Sequence, residues 1–430
     1  MKKIILSVFI ISLAVSVTAQ TRWFEVSKTS YVPFVGEAGG FESLFVNPAG
    51  MAGQTNIFTW DIEAGVKAKK STIEAIQLMM DSSDTLNSPP DVNEDMTPEE
   101  AEEIVDLLVD NLDQESTDLL TDGTVLDGMS PEEIQEYFEE GGEIDVDDAI
   151  LLGDNAAEHQ EEIIDNAMSN IKASVEFTTK VGTLIKGFGL GGYANVYSVL
   201  SAAEMGFETL VVESGIKAGF GFNLSEKLAL GVSADFAFLG DVTATGGVSI
   251  EDIGDIMSRT MYYGYAWGID VGAAYHLLPS LTVGAVMTDL IGTYVYNGTT
   301  TLEDLMNGGA KHKIESTYEF DLDLDFGITW APKIGSGKLL APSLSVDYYD
   351  FIGLFREETR PEDFQGFLNH MRFGAELELL SFINLRAHYY REYFALGAGV
   401  DLLFLEVFGE FQFKQSFDDI GGALLVKLHF

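Results

Sequence analysis

The chain has 430 residues; 46% of them are hydrophobic, 44 are Gly and 49 are Phe, Tyr or Trp. It contains no Cys, which excludes a disulfide framework, a thiolate metal site and a cysteine nucleophile. The formal charge of −45 argues against nucleic acid as a partner.

Residues 1–19 have the pattern of a secretory signal peptide. Lys2 and Lys3 precede an apolar core, and small residues end at Ala19, where we predict cleavage. No later stretch has the roughly 18 consecutive apolar residues that a spanning helix needs. An exported, aromatic-rich and glycine-rich chain of this kind favours a membrane β-barrel, with a secreted soluble β protein as the alternative.

Residues 20–55 precede the first regular strand pattern and contain the stretch FESLFVNPAGMAG, Phe41 to Gly53. The stretch is apolar enough to be buried, yet its Pro and Gly residues do not suit a wall strand. The residue pattern alone leaves open what 20–55 forms before the first strand.

The region 56–430 is predicted to form the barrel, because apolar and polar residues alternate along it in short runs. We predict about 14 antiparallel strands, and an even number is typical of bacterial outer-membrane barrels. The predicted strands lie near 57–68, 173–181, 184–197, 207–222, 228–240, 260–276, 281–293, 313–330, 339–351, 370–380, 383–391, 393–401, 404–414 and 421–430.

Loop lengths support this fold, because long and short connections tend to alternate along the chain, as in outer-membrane barrels. The predicted long connections are 69–172, 198–206, 241–259, 294–312 and 352–369. The predicted short ones lie around Gly182 and at 223–227, 277–280, 331–338 and 380–382. The last two connections on the long-loop side, near Arg391 and at 415–420, are short and break the contrast.

The first connection, 70–172, is predicted to be an acidic, α-helical extracellular insertion. It has 31 Asp or Glu and no Lys or Arg between Ser71 and Ile171. Thr97 with Glu100, and Ser130 with Glu133, have the spacing of helix capping boxes. A third helix is predicted within 147–171. The surroundings of Asp122 and Asp127 lack the ligand spacing of an EF-hand, so a solvated acidic surface is favoured over a calcium site.

Several charged residues fall on the polar face of the predicted strands. The clearest strand reads FDLDLDFGITW, Phe320 to Trp330, in which three carboxylates alternate with apolar residues; such a face suits a wet lumen rather than a dry core. The candidate lumen-facing charges are Asp61, Glu63, Asp270, Asp321, Asp323, Asp325, Asp347, Arg372 and Arg386. They would form an ion-paired interior, a polar pathway with a cation preference, or only a solvated surface.

No pattern in the sequence points to catalysis, a metal site or a cofactor. The His residues form no zinc-ligand spacing, no G-x-S-x-G motif is present, and the glycines of Lys186–Tyr193 precede a strand rather than a helix. We therefore predict a protein that is not an enzyme.

Asn47, Pro48, Ala49 and Gly50, after a glycine-rich stretch and just before the first strand, resemble a motif of the FadL-type outer-membrane transporters. The terminal Phe430, on an alternating last strand, resembles the signal read by the outer-membrane barrel assembly machinery. The resemblance implies a 14-stranded barrel in which residues 20–55 form an N-terminal hatch, or plug, inside the barrel. It also implies a location in the outer membrane of a Gram-negative-type bacterium, in contact with its lipid.

The resemblance also implies a function, the binding or passage of a small molecule, hydrophobic molecules included, across the outer membrane. The alternative is a surface or anchor protein that does not transport, such as an adhesin, a shuttle or an assembly partner. The acidic insertion and the charged lumen depart from the pattern expected of a fatty-acid passage. The sequence leaves the ligand undetermined.

Overall fold

The structure is a computed structural model. It describes residues 33–37, 39–54, 57–69, 114–139, 142–145, 147–148, 151–152, 155, 172–201, 206–241, 248–249, 260–307, 316–319, 322–334, 339–356, 361, 364–417 and 419–430. Among these residues, no helix combines the length and apolar character that crossing a membrane requires.

The sequence folds into a closed, 14-stranded antiparallel β-barrel, as predicted. The strands are β1 Ile57–Lys69, β2 Lys172–Ile185, β3 Phe188–Ser201, β4 Gly206–Asn223, β5 Leu228–Asp241, β6 Val248–Ser249, β7 Thr260–Leu278, β8 Leu281–Thr301, β9 Ser316–Glu319, β10 Asp323–Trp330, β11 Leu340–Tyr348, β12 Met371–Leu379, β13 Ile383–Tyr390, β14 Tyr393–Leu402, β15 Leu405–Lys414 and β16 Asp419–His429. Neighbouring strands pair in chain order, and β16 closes the wall by pairing with β1.

Two of the strands are additions to that wall. Strand β6 pairs only with the start of β4. Strand β9 pairs with β8 just beyond β10, so β9 and β10 together occupy one wall position. The single strand predicted at 313–330 is therefore two strands. Between the pairs Thr293–Glu319 and Thr288–Asp323, β8 has one more residue than the segment that joins β9 to β10.

The barrel is polar inside and apolar outside, the reverse of a soluble protein. On β1, Phe58 and Trp60 are 45% and 44% exposed, whereas Thr59 and Asp61 between them are 1% and 5% exposed. On β10, Ile328 and Trp330 are exposed and Thr329 is buried. An outer band of apolar side chains around a polar interior is the arrangement of an outer-membrane barrel.

Besides the split at 313–330, the predictions differ from the structure at the end of β8 and at one turn. Strand β8 continues to Thr301, so the long connection predicted at 294–312 begins later than expected. The turn placed around Gly182 is wrong, because β2 continues through Gly182 to Ile185. The chain instead reverses at Lys186 and Gly187, both of which have positive φ, 50° and 85°. Gly182 faces inward against the Phe41 ring. A glycine there allows close packing rather than a turn.

Short helices occur between and inside the strands. They are α1 Ser43–Val46, α2 Gln114–Thr121, α3 Pro131–Glu139, α4 Leu302–Met306 and α5 Phe364–Asn369, with 3-10 helices at Pro48–Met51 and Ile352–Phe355. We call the end of the barrel with the connections 186–187, 224–227 and 279–280 the short-turn end. The other end, which carries 70–171, 242–259 and 349–370, is the long-loop end.

The insertion between β1 and β2 has a small apolar core of its own. Leu120, Leu126, Ile134 and Leu152 are each at most 2% exposed. The predicted capping box at the start of α3 is confirmed: Ser130 N donates to Glu133 Oε2 at 2.8 Å, and Glu133 N donates to Ser130 Oγ at 3.3 Å. These bonds lower the pKa of Glu133. The predicted helix beginning at Thr97, and most of 147–171, lie outside the described residues.

Candidate functional site

Residues 33–37 and 39–54, which we call the hatch, pack against the inner face of the barrel. The rest of the predicted hatch, 20–32, 38 and 55, lies outside the described residues. They contain α1 and the 3-10 helix Pro48–Met51, and the latter contacts β4, β5 and β7. Most of the hatch is buried, including Phe41, Leu44 and Met51, each at most 1% exposed. A segment with so little strand character is stable here because the wall covers its apolar side chains.

Asn47 fixes the shape of the hatch. Its Oδ1 accepts from Ala49 N at 3.1 Å, which caps the 3-10 helix, and Pro48 occupies the first helical position. Its Nδ2 donates to Val35 O at 3.0 Å and to Ala273 O on β7 at 3.2 Å. One buried side chain therefore ties the helix, the start of the hatch and the wall together.

Pro48 and Ala49 lie directly on glycines of the wall. A Cβ on Gly231 would overlap the backbone of Pro48 and Ala49, and a Cβ on Gly272 would overlap Asn47 Oδ1. Other inward glycines have the same relation to hatch residues; these are Gly182, Gly189, Gly191, Gly219, Gly221, Gly284, Gly327 and Gly374. We call this set, with Gly231 and Gly272, the glycine seat.

Gly50 is required by packing within the hatch itself. A Cβ at this position would lie 2.8 Å from Ser43 Cβ and 3.1 Å from Gly39 N. Ser43 is held there by donating from Oγ to Gly40 O at 2.5 Å. The four motif residues thus have separate structural roles: a cap, a helix start, a wall contact and a close approach to α1.

Asp347 and Arg372, both predicted to face the lumen, hold the start of the hatch. They are 0% exposed and are paired across β11 and β12. Val35 N donates to both carboxylate oxygens of Asp347, at 3.1 and 2.9 Å. The guanidinium of Arg372 lies 4.1 Å from the centre of the Phe34 ring and donates to Pro33 O at 3.4 Å.

An ion pair joins the hatch to the last strand. Glu42 of the hatch contacts Lys427 of β16, and both side chains are mostly buried. Burial alone would favour the neutral carboxyl, but the Lys427 ammonium outweighs it and lowers the pKa of Glu42. Asp61 and Glu406 lie opposite Lys427 on the neighbouring strands β1 and β15. Three carboxylates therefore surround this lysine.

A cavity of about 330 Å³ separates the hatch from the wall on the β11–β16 side. It extends from Phe34 and Glu37 of the hatch to Ser381 at the short-turn end. Its charged lining comprises the carboxylates Glu37, Glu42, Glu376, Glu378, Asp401 and Glu406 and the bases Arg386 and Lys427, together with His388. The volume lies within the range of small-molecule sites.

Two contacts organise that lining. Arg386 donates from Nη2 to Glu376 Oε1 at 3.0 Å, and Asn384 Nδ2 donates to Glu406 Oε1 at 3.4 Å. Glu37 accepts from Phe34 N at 3.1 Å. Burial, and then the nearby Glu376 carboxylate, raise the pKa of Glu37 above its ordinary value.

Asp270, another predicted lumen charge, belongs to a separate cluster on the opposite side of the barrel. Its Oδ2 accepts from Lys217 Nζ at 2.5 Å and from Ser233 Oγ at 3.3 Å, and its Oδ1 accepts from Asp289 N at 3.0 Å. Asp235 lies 3.8 Å from the same ammonium. The three carboxylates are close enough to hold a metal ion, but Lys217 already supplies a positive charge there.

The remaining predicted lumen-facing charges lie at separate places in the barrel and do not form a common site. Asp325 is buried and accepts from Asp350 N at 3.0 Å, next to the chain reversal after β11. Glu63 lines a small cleft with Lys67 and Glu176, and Asp323 is partly buried. Asp321 lies outside the described residues. The predicted charges thus contribute Asp347 and Arg372 to hatch attachment and Arg386 to the cavity.

The sequence analysis missed several residues of the site. Glu37 and Glu42 were not assigned roles, because the hatch has no periodicity from which a facing direction follows. Lys217 and Asp235 lie on the inward face by simple alternation along β4 and β5 and could have been found. Lys427 follows the same alternation on β16, where it lies between the apolar residues Val426 and Leu428.

Comparison with solved structures finds matches at low sequence identity. The Pseudomonas putida toluene transporter TodX is 10% identical over 92% of this chain and 94% of that one, with a TM-score of 0.40. A Pseudomonas aeruginosa FadL homologue is 10% identical over 97% and 99%, with a TM-score of 0.40. The chain is similar to FadL-type transporters. No family model matches it, and neither does any curated protein.

Proposed function

We propose that this protein is located in the outer membrane and lets a small molecule bind in, or pass through, the lumen beside the hatch. The observation that carries the proposal is the unequal filling of the barrel. The hatch is seated tightly on one side, and a polar cavity of about 330 Å³ remains on the other. A barrel that served only as an anchor has no need of a shaped plug next to a ligand-sized space.

The outer surface of the barrel supports two partners in the membrane, lipid and the barrel assembly machinery. The exposed apolar band suits outer-membrane lipid. Phe430 is 72% exposed and its backbone pairs with Phe58 at the short-turn end, with N–O distances of 2.9 and 3.0 Å. That position is open to the barrel assembly machinery, which we propose as a partner. A hydrophobic ligand remains a prediction from the family resemblance, and the charged lining does not favour it.

The experiment compares the whole protein with a variant lacking residues 41–53, each reconstituted in liposomes. Swelling in an uncharged sugar measures passage independently of charge. We expect faster swelling when the hatch is removed, because the seat and the cavity then form one continuous lumen. Heat-modifiable migration on gels checks that both barrels are folded. Equal swelling, or none in either form, would contradict the proposal.

The second candidate, a surface protein without transport, has one observation in its favour. The acidic insertion has its own buried core and capped helix at the long-loop end. Under this alternative the barrel only anchors the insertion. Deleting residues 70–171 would then abolish whatever binding the protein shows at the cell surface. The sugar flux measured in liposomes would not change.

A further inference from the structure

The lining of the cavity beside the hatch has a strong excess of negative charge. Six carboxylates face two bases, so with His388 neutral the formal charge is −4 when every carboxylate is ionised, and −3 when Glu37, whose pKa is raised, carries a proton. The two bases are engaged within the lining: Arg386 with Glu376, and Lys427 with Glu42. The negative charge that remains comes from both the hatch and the wall.

A buried carboxylate opposite Lys427, which lines the cavity, adds to this negative charge. Asp61 is 5% exposed and lies opposite Lys427 on the neighbouring strand. Its Oδ1 has no hydrogen-bond partner among the described residues. An ionised carboxylate oxygen without a donor is costly to bury. The Lys427 ammonium is shared among Glu42, Asp61 and Glu406, so one positive charge serves three negative ones.

Size limits the ligand further. A water molecule occupies about 30 Å³ in the liquid, so the cavity has room for a small organic molecule with some of its water. An apolar guest would remove water from carboxylates without replacing their interactions, at a considerable cost. A guest with an ammonium group would instead donate to these oxygens through charge-assisted hydrogen bonds.

We propose that the cavity selects small cations, in particular organic cations with an amine or quaternary ammonium group, and that these are the solutes the lumen admits. This inference rests on the proposed function and adds the substrate class. Clefts lined by one sign of charge concentrate the opposite ion, and rings of carboxylates make pores selective for cations. Neutralising the carboxylates should therefore remove the selectivity without closing the path.

The test is the reversal potential of the protein in planar bilayers under a KCl gradient, repeated with choline chloride. We expect cations to be favoured over chloride about tenfold, with the same sign for choline. The variant Glu37→Gln, Glu378→Gln, Glu406→Gln should bring the permeability ratio close to one. The single variants Glu378→Gln and Glu406→Gln should each give part of that change, so the test does not depend on whether the triple variant folds.

The matched control neutralises three exposed carboxylates of the insertion, Asp122→Asn, Asp127→Asn and Glu136→Gln, which should leave the ratio unchanged. A wild-type ratio near one, an anion preference, or an equal effect of the control would overturn the inference. Such results would not contradict the proposed function, provided that sugar flux is present. The absence of both current and sugar flux would overturn the proposed function and the inference together.

Discussion

The two sides of the barrel lumen hold the hatch in different ways. On the side of β2 to β10, apolar hatch residues and the 3-10 helix lie against all of the glycine seat except Gly374 of β12, with contacts that leave no space for a methyl group. On the side of β11 to β16 and β1, charged groups hold the hatch across a cavity, through Asp347, Arg372 and the pair Glu42–Lys427.

The difference separates two tasks. Shape complementarity fixes position, because a close-packed interface tolerates few alternatives. Charge pairs fix position less strictly, since their strength depends on protonation and on the water around them. We therefore expect the glycine seat to set where the hatch rests, and the charged side to set how firmly it closes the cavity.

The largest effect is expected from removing the lysine on the charged side. Lys427→Met leaves Glu42 and Asp61 buried without their cation, and losing one partner of a buried pair costs about 4 kcal/mol. The free energy of unfolding in urea, followed by tryptophan fluorescence in detergent, measures the loss. Glu42→Gln added to Lys427→Met should restore part of it. If the double variant is no more stable than the single one, the pair does not hold the hatch.

A smaller but still large effect is expected on the packed side from Asn47→Ala. The change removes the acceptor for Ala49 N and the donors to Val35 O and Ala273 O, and leaving such buried groups unsatisfied costs about 3 kcal/mol. Limited proteolysis within residues 41–53, alongside urea unfolding, checks whether the hatch is released. Asn47→Asp keeps the acceptor and loses the donors. If it is as stable as the wild type, the contacts to Val35 and Ala273 are unimportant.

Overpacking the glycine seat should cost about 2 kcal/mol. In Gly231→Val the new side chain overlaps Pro48, so the hatch must shift or leave, and sugar flux through liposomes should rise. The matched control is Gly192→Val on the outer face of β3, where a Cβ has only Gly215 O within 4 Å, at 3.7 Å. Equal effects of the two variants would show that valine disturbs the strand rather than the seat.

The barrel was predictable because each wall strand carries its own signal. A period of two in side-chain character survives in nearly every strand, and the strand ends coincide with Pro, Gly and polar residues. The wrongly placed turn occurs where a glycine has a packing role. Gly182 has the sequence appearance of a turn, but it is inside β2 because Phe41, over 140 positions earlier, occupies the space of its missing side chain.

The site was less predictable for the same physical reason. Asn47 to Gly50 could be noticed as a motif, but its contacts with Val35, Gly231 and Ala273 are set by the tertiary fold. The inward direction of Asp347 and Arg372 follows from alternation along β11 and β12. Their attachment to the hatch does not, because nothing in a strand pattern indicates what fills the lumen.

The smallest effect expected concerns Glu37, at the boundary between hatch and cavity. Burial and the Glu376 carboxylate raise its pKa, so the folded protein binds this proton more tightly than the unfolded chain. The stability it contributes is present below the usual Glu range and is lost as pH rises through the raised pKa. Arg372 acts on Glu37 from outside the cavity, and the charged or titratable groups that line the cavity with it are Glu42, Glu376, Glu378, Arg386, His388, Asp401, Glu406 and Lys427.

Glu37→Gln removes that dependence while keeping the shape of the side chain. The variant should match the wild type at about pH 4 and become the more stable of the two toward about pH 8, as measured by the temperature of the heat-modifiable transition. Glu136→Gln on the exposed face of α3 is the control and should show no such trend. If the wild type and Glu37→Gln respond alike to pH, the Glu37 proton does not contribute to closing the charged side.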